Sequence, residues 1–248
     1  MMSRMTRALA FLTFTGISLT TTWAQQPALD SLNLNSNQAP AAPAPSPAPV
    51  ATSDASTTQL REALQLMQNG QLDEALAKVN AVIQSAPNSP DGYGLRGTIY
   101  SKKKMWTQST QDFQKVLALT PNSVPARFNL AELNFMQKLY DQARPGFLDL
   151  ETDADLGDLA TYKVFLCDLY GGHDAIAKQE FDAFNDKGTG ASYYFGNAAW
   201  FLYHHQTEDA RGWLVSASHI FAPAKLNLYS SSLIDLGYLP LPPAPAAN

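Results

Sequence analysis

The stretch PNSPDGYGLRGTIYSKKKMWTQSTQDFQKVLALTPNS, from Pro87 to Ser123, begins and ends on the same three residues, 34 positions apart. Between the two marks lie two runs of helical character separated by a short basic turn, Lys102-Lys103-Lys104. Proline cannot continue the helix before it, whereas asparagine or serine can cap the helix after it, and Pro90 suits the first turn behind a Ser89 cap. The two marks therefore bound one structural unit. Self-similarity at this period is the signature of a repeat architecture.

A second landmark falls at the same period inside the units. Asn69-Gly70-Gln71-Leu72-Asp73-Glu74-Ala75 aligns with Lys103-Lys104-Met105-Trp106-Thr107-Gln108-Ser109 and then with Gln137-Lys138-Leu139-Tyr140-Asp141-Gln142-Ala143. A large residue (Leu72, Trp106, Tyr140) can plug the gap between two antiparallel helices, and the small residue three further on (Ala75, Ser109, Ala143) lets them approach. Each unit reads as a helical hairpin.

This pattern resembles the tetratricopeptide repeat. The second unit carries the family's positions as Tyr93, Gly97, Tyr100, Trp106, Ser109, Phe113 and Pro121. The third carries Leu130, Ala131, Tyr140, Ala143 and Phe147, with Asp155 where proline belongs, and the first carries Ala63, Leu66, Leu72, Ala75, Val79 and Pro87. Two divergent units follow. From Asp158 the spacing keeps Gly171, Gly172, Ala177, Phe181 and Phe184 but puts Asp174 at an aromatic position; from Ala191 a fifth hairpin is expected with a turn one residue shorter. Lys225 to Leu236 reads as a last helix closing the open end of the stack. The resemblance implies an all-α, right-handed α-solenoid of about five hairpins plus a C-terminal capping helix. The units fall near 56–89, 90–123, 124–157, 158–190 and 191–224, with the cap at 225–236, inside a repeat region 58–236.

The flanks differ in kind. Residues 1–24 carry Arg4 and Arg7, a short apolar run Ala8 to Leu19, and small residues ending at Ala24, the pattern of a cleaved secretory signal peptide. That run is too short and too rich in threonine for a membrane span of about 20 residues. Residues 25–57 contain QAPAAPAPSPAPVATSDAST, which offers little to pack and reads as a disordered Ala/Pro spacer, and 237–248 has the same character. The expected location is thus outside the cytoplasm, periplasmic or extracellular, in a bacterium. The one cysteine, Cys167, cannot form an internal disulfide and, beside Phe165 and Leu166, reads as a buried small residue.

Composition excludes other classes. A net charge of −5 and a pI near 5.3 give no field favouring nucleic acid. No Walker loop, dinucleotide glycine pattern, GxSxG elbow or HExxH motif occurs. The four histidines, His173, His204, His205 and His219, do not share a helix face, so no catalytic residue, metal or cofactor is expected.

By the family resemblance, the first helices line a concave groove and an asparagine early in such a helix holds a peptide backbone. Asn129 falls at that position, and Asn197 does if the fifth turn is short. Around them the expected partner-binding surface comprises Phe128, Glu132, Phe135 and Met136 in the third unit and Tyr162 and Tyr170 in the fourth, with Leu166, Trp200 and Tyr203 beside them. Aromatics and methionine bury much area at little entropic cost. The competing reading is that neighbouring helices, or the final helix, cover these residues. The expected function is a non-catalytic scaffold of the cell envelope binding a peptide or helix of a protein partner. The alternatives are an assembly component using its convex face or ends, and an enzyme with an unrecognised site in the divergent units.

Overall fold

A computed structural model describes residues 54–240. The signal peptide, nearly all of the spacer and the end of the tail lie outside the described residues. Among the described residues eleven α-helices follow one another: α1 (Asp54–Gln68), α2 (Leu72–Ser85), α3 (Pro90–Lys102), α4 (Trp106–Leu119), α5 (Val124–Met136), α6 (Tyr140–Leu148), α7 (Gly157–Gly171), α8 (Asp174–Lys187), α9 (Ala191–Tyr203), α10 (Thr207–Ile220) and α11 (Pro223–Asp235). The first ten pair as five hairpins stacked in chain order, each touching the next, and α11 comes last. The protein is an all-α solenoid.

The punctuation of the sequence acts as its chemistry requires. The Ser89 hydroxyl accepts from the Gly92 N–H (3.1 Å) and that of Ser123 from the Ala126 N–H (3.4 Å), with proline in the first turn of both α3 and α5. The hairpin turns repeat one device. Gly70, Lys104, Lys138, Gly172 and His205 adopt left-handed backbone. The next residue's N–H then reaches a carbonyl five back: Gln71 to Leu66, Met105 to Tyr100, Leu139 to Asn134, His173 to Asp168 and Gln206 to Phe201, all 2.8–2.9 Å.

The expected short fifth turn is corrected. His204, His205 and Gln206 separate α9 from α10, as three residues separate the helices of the first three hairpins. The left-handed residues are spaced 33 apart from Gly172 to His205 instead of 34, and the residue is lost between hairpins, upstream of α9.

The third hairpin ends differently from the second. Helix α6 stops after nine residues, with Pro145 inside it. The chain then turns around Asp153, whose Oδ1 accepts from the N–H groups of Asp155 and Leu156 (3.0 and 2.9 Å). A Cβ on Gly157 would lie 2.4 Å from the Glu151 carbonyl oxygen, so only glycine passes there.

The apolar interior divides in two. One cluster joins α1 to α3 through Leu60, Ala63, Met67, Val79, Val82, Leu95 and Ile99. The larger runs from Phe128 to Leu233. Within the second hairpin buried Phe113 lies against Gly97, and polar contacts add to this: the Arg96 guanidinium donates to both oxygens of Asp112 (2.8 Å each), and the Ser109 hydroxyl donates to the Gly97 carbonyl (2.7 Å).

Both ends of the solenoid extend past the composition boundary. Helix α1 starts at Asp54, and Ser56 is already buried. At the other end Tyr238 packs on Tyr170 (ring centroids 6.0 Å), because Leu236, Tyr238 and Leu239 supply apolar area within a proline-rich stretch.

Candidate functional site

The first helices α5, α7 and α9 place their inward residues on one surface, and α11 lies on it. Helix α11 packs chiefly on α9 and to a lesser degree on α10. Its buried residues are Tyr229, Ser230, Ser232 and Leu233, of which Tyr229, Ser232 and Leu233 have the i, i+3, i+4 spacing of one helix side. The Tyr229 ring sits 5.4 Å from both the Tyr162 ring of α7 and the Phe195 ring of α9. Its hydroxyl donates to Asp158 Oδ2 at 2.5 Å, and Asp158 also accepts from the Ser192 hydroxyl, fastening the starts of α7 and α9 to the middle of α11. Burial, with Asp158 beside it, pushes the Tyr229 hydroxyl far above the usual phenol range.

Of the residues expected to line an open groove, most are enclosed. Phe128 packs edge-on against Phe147 of its own hairpin (5.3 Å), and Phe135 against Tyr140 (5.4 Å) and Phe147 (6.4 Å). Tyr162 is 0% exposed, beneath Tyr229. Asn197 is 1% exposed and donates its amide to the Tyr193 carbonyl one turn back in its own helix (2.9 Å). Its assignment to the Asn129 register is corrected as well. Asn129 stands nine residues before the left-handed Lys138, but Asn197 stands eight before His205, where Gly196 takes the ninth place. One residue is a rotation of about 100° on a helix, enough to carry the amide off that surface. Met136 and Tyr170 are half-buried. Met136 lies at the rim, 3.6 Å from the Ser101 hydroxyl; Tyr170 stacks among Tyr140, Tyr203 and Tyr238.

Asn129 and Glu132 sit together on α5 over a buried charge pair that residue-type reasoning missed. Lys163 of α7 donates to Glu132 Oε1 at 2.6 Å with its side chain 1% exposed, and its ammonium rests 4.4 Å from the Phe135 ring centroid. Lys163 stands at the same register as Asn129, and a lysine inside the apolar run Tyr162 to Leu169 was the available signal of a buried partner. Four side-chain atoms here are buried without a hydrogen-bonding protein partner: Asn129 Oδ1, Glu132 Oε2, Tyr162 Oη and Ser232 Oγ. A buried polar group left unpaired costs about 1–3 kcal/mol. Burial, and then Glu132, raises the Tyr162 hydroxyl. Asp235, at the end of α11, is exposed at its surface, but partial desolvation pushes its carboxyl up to about 6 against the pull of Lys163, with Glu132 adding to the rise and Lys102 and Lys104 opposing it.

A second polar cluster ties α6, α7 and α8. The fully buried Asp168 accepts from Arg144 Nε through both oxygens (2.8 and 2.7 Å) and lies 2.8 Å from His173 Nδ1. His173 Nε2 faces Asp141 at 3.3 Å. Glu180 lies beside them, its carboxyl pushed up to about 8 by burial and by Asp168. Cys167 next to it is buried, and burial holds its thiol protonated, pushed up to about 12. Among the described residues no set of three or more His, Cys, Asp and Glu side chains is grouped to hold a metal ion.

No protein-family model matches the chain. A 90-residue segment, 35% of the chain, is 28% identical to the DnaJ protein P58IPK homolog A of Oryza sativa subsp. japonica; the match spans 19% of that relative's length. Among solved structures, a tetratricopeptide repeat protein from Parabacteroides merdae superposes with a TM-score of 0.56 at 20% identity, covering 70% of this chain and 71% of that one. PilW, a widely conserved type IV pilus biogenesis factor, superposes with a TM-score of 0.55 at 16% identity, covering 75% and 88%. These likenesses show the fold, which is a tetratricopeptide-repeat solenoid.

Proposed function

We propose that this chain is a non-catalytic interaction scaffold, exported to the bacterial cell envelope, whose concave face receives a helix or peptide of a protein partner. One observation carries the reading: the inner face of α7 and α9 already holds a helix, α11, through packed aromatic rings and a tyrosine hydroxyl. A surface that binds one helix by burial of aromatic area is suited to bind another. The ionisable clusters fit a structural role, because Asp168 and Lys163 are each engaged by oppositely charged partners from a neighbouring helix. Export rests on the leader pattern of residues 1–24, and a pilus biogenesis factor of the same fold is in keeping with an envelope role.

The test is capture of partners by the tagged full chain from envelope fractions, compared with Met136→Glu and Tyr203→Glu at the rim and Gln111→Glu on an outer helix. The reading expects a mature chain beginning at Gln25 and a partner lost with the rim variants but kept with the outer one. Retention of the partner by both rim variants, or an uncleaved chain in the cytoplasm, sinks it.

A second reading, assembly through the outer face, is favoured by the occupied groove together with the exposed Leu139, Leu148 and Ile176 on the third and fourth hairpins. Loss of capture with charged substitutions at those three residues selects it.

A further inference from the structure

We propose that α11 is a displaceable occupant of the concave face, and that the partner fitting this face is a helix with an aromatic residue at the place of Tyr229 and hydrogen-bond donors facing Asn129 and Glu132. The inference rests on the groove-binding reading above and deepens it.

Two features of the contact point the same way. The first is that α11 is attached well at one place and poorly at the next. At its middle Tyr229 is bonded to Asp158 and packed between the tilted rings of Tyr162 and Phe195. One turn further on, the seam holds acceptors and hydroxyls that find no protein partner: Asn129 Oδ1, Glu132 Oε2 and Tyr162 Oη on the floor, and the buried Ser232 Oγ on α11 itself. At the end of the helix Asp235 brings a carboxylate near both members of the Glu132–Lys163 pair, drawn by the lysine more than it is repelled by Glu132, whose second oxygen stays unpartnered. These unmade bonds leave α11 an imperfect fit to this floor, and a helix bearing amide, ammonium or guanidinium donors there satisfies acceptors that α11 leaves unpaired.

The second feature is the connection. Only Phe221 and Ala222 join α10 to α11, so the helix can swing on one short link while the ten preceding helices keep their packing. Helix α11 makes its main contact with α9 and closes no hairpin of its own. Elements held by few contacts at the end of a stack are drawn from the low-stability end of the molecule.

The probe is a fluorescent synthetic peptide of residues 223–240, titrated into the intact chain and into the full-length double variant Tyr229→Ala/Leu233→Ala. The proposal expects the variant to bind the peptide at least about tenfold more tightly than the intact chain, because the site is no longer occupied in cis. Unlabelled peptide must compete, and a peptide carrying the same two alanines must not. Equal affinity for both chains, or no saturable binding to a variant that keeps its helical circular dichroism, overturns it. Hydrogen exchange on the unmodified chain decides the matter if the variant misfolds. Amides of α11 are expected to exchange at least about tenfold faster than those of α7 and α9, and Ser232→Ala is expected to slow them. Exchange of α11 in step with α7 and α9 marks it as a fixed cap and overturns the proposal. Neither measurement depends on a native partner, so failure to capture one counts against the groove reading alone.

Discussion

At the scale of the residue, the Glu132–Lys163 pair is the most consequential feature of the inner face. Its charges are withdrawn from water and held 2.6 Å apart between α5 and α7. Removing one partner leaves the other buried and uncompensated, so Glu132→Ala or Lys163→Ala is expected to cost about 3–5 kcal/mol in urea denaturation, whereas Glu132→Leu combined with Lys163→Met should be neutral or stabilising. Glu180 makes a second prediction. Its carboxyl lies at about 8 in the fold against an ordinary value of 4.5, so between those values the folded chain holds a proton that the unfolded chain has released. The contribution is fully present below the ordinary value and is lost as pH rises through about 8. Thermal melts from pH 5 to 8.5 should therefore show falling stability, and Glu180→Gln should flatten that slope; an unchanged slope contradicts the assignment. The candidate site was only partly legible at this scale. The helix of Asn129 was readable from its spacing, but burial of Phe128, Phe135 and Tyr162 depends on rings contributed from well beyond their own helices, by Phe147 and Tyr229. Asn197 was misplaced because a one-residue loss between hairpins cannot be told from one within a turn without seeing where the helix ends.

At the scale of the element, the hairpin turns store a small strain that the sequence displays. Lys104, Lys138 and His205 occupy left-handed backbone where Gly70 and Gly172 sit elsewhere. Side chains with a Cβ are disfavoured there by roughly 1–2 kcal/mol, partly offset by the extra freedom glycine gives the unfolded chain. Lys138→Gly is accordingly expected to raise stability by up to about 1 kcal/mol, read from the urea midpoint, while Lys138→Val should lower it. Gly157 behaves oppositely. Because a Cβ would meet the Glu151 carbonyl at 2.4 Å, Gly157→Ala must displace the α6–α7 connection. The consequence is faster exchange in α6 and the start of α7 with little change in α1 and α2. Helix starts at Ser89 and Ser123 were legible because a cap and a proline are local chemistry. Cover by the final helix was one of two open readings, since a lone amphipathic helix carries no record of which face will receive it; Tyr229 and Tyr238, packed on Tyr162 and Tyr170, decide it.

At the scale of the whole molecule, repetition made the fold readable while divergence hid the site. Three units matched well enough to fix the hairpin, and the fourth and fifth followed by continuation. The features that set this chain apart lie in those divergent units and in α11, where the repeat pattern says least. The division of the apolar interior also has a consequence. The cluster joining α1 to α3 is separate from the one spanning α5 to α11. In a solenoid each unit is stabilised mainly by its neighbours, so native-state exchange should show α1 and α2 opening at lower free energy than α7 and α9, in separate steps. A single cooperative opening of all hairpins contradicts this. The central claim is that the concave face, not the outer helices, meets the partner. Photo-crosslinking in intact cells tests it most directly, with the reactive residue placed at Met136 or Tyr203 on the inner rim and at Gln111 on the outer surface. The expected result is a discrete cross-linked species from the inner positions that the outer position does not give. Cross-linking from Gln111 alone would contradict the account.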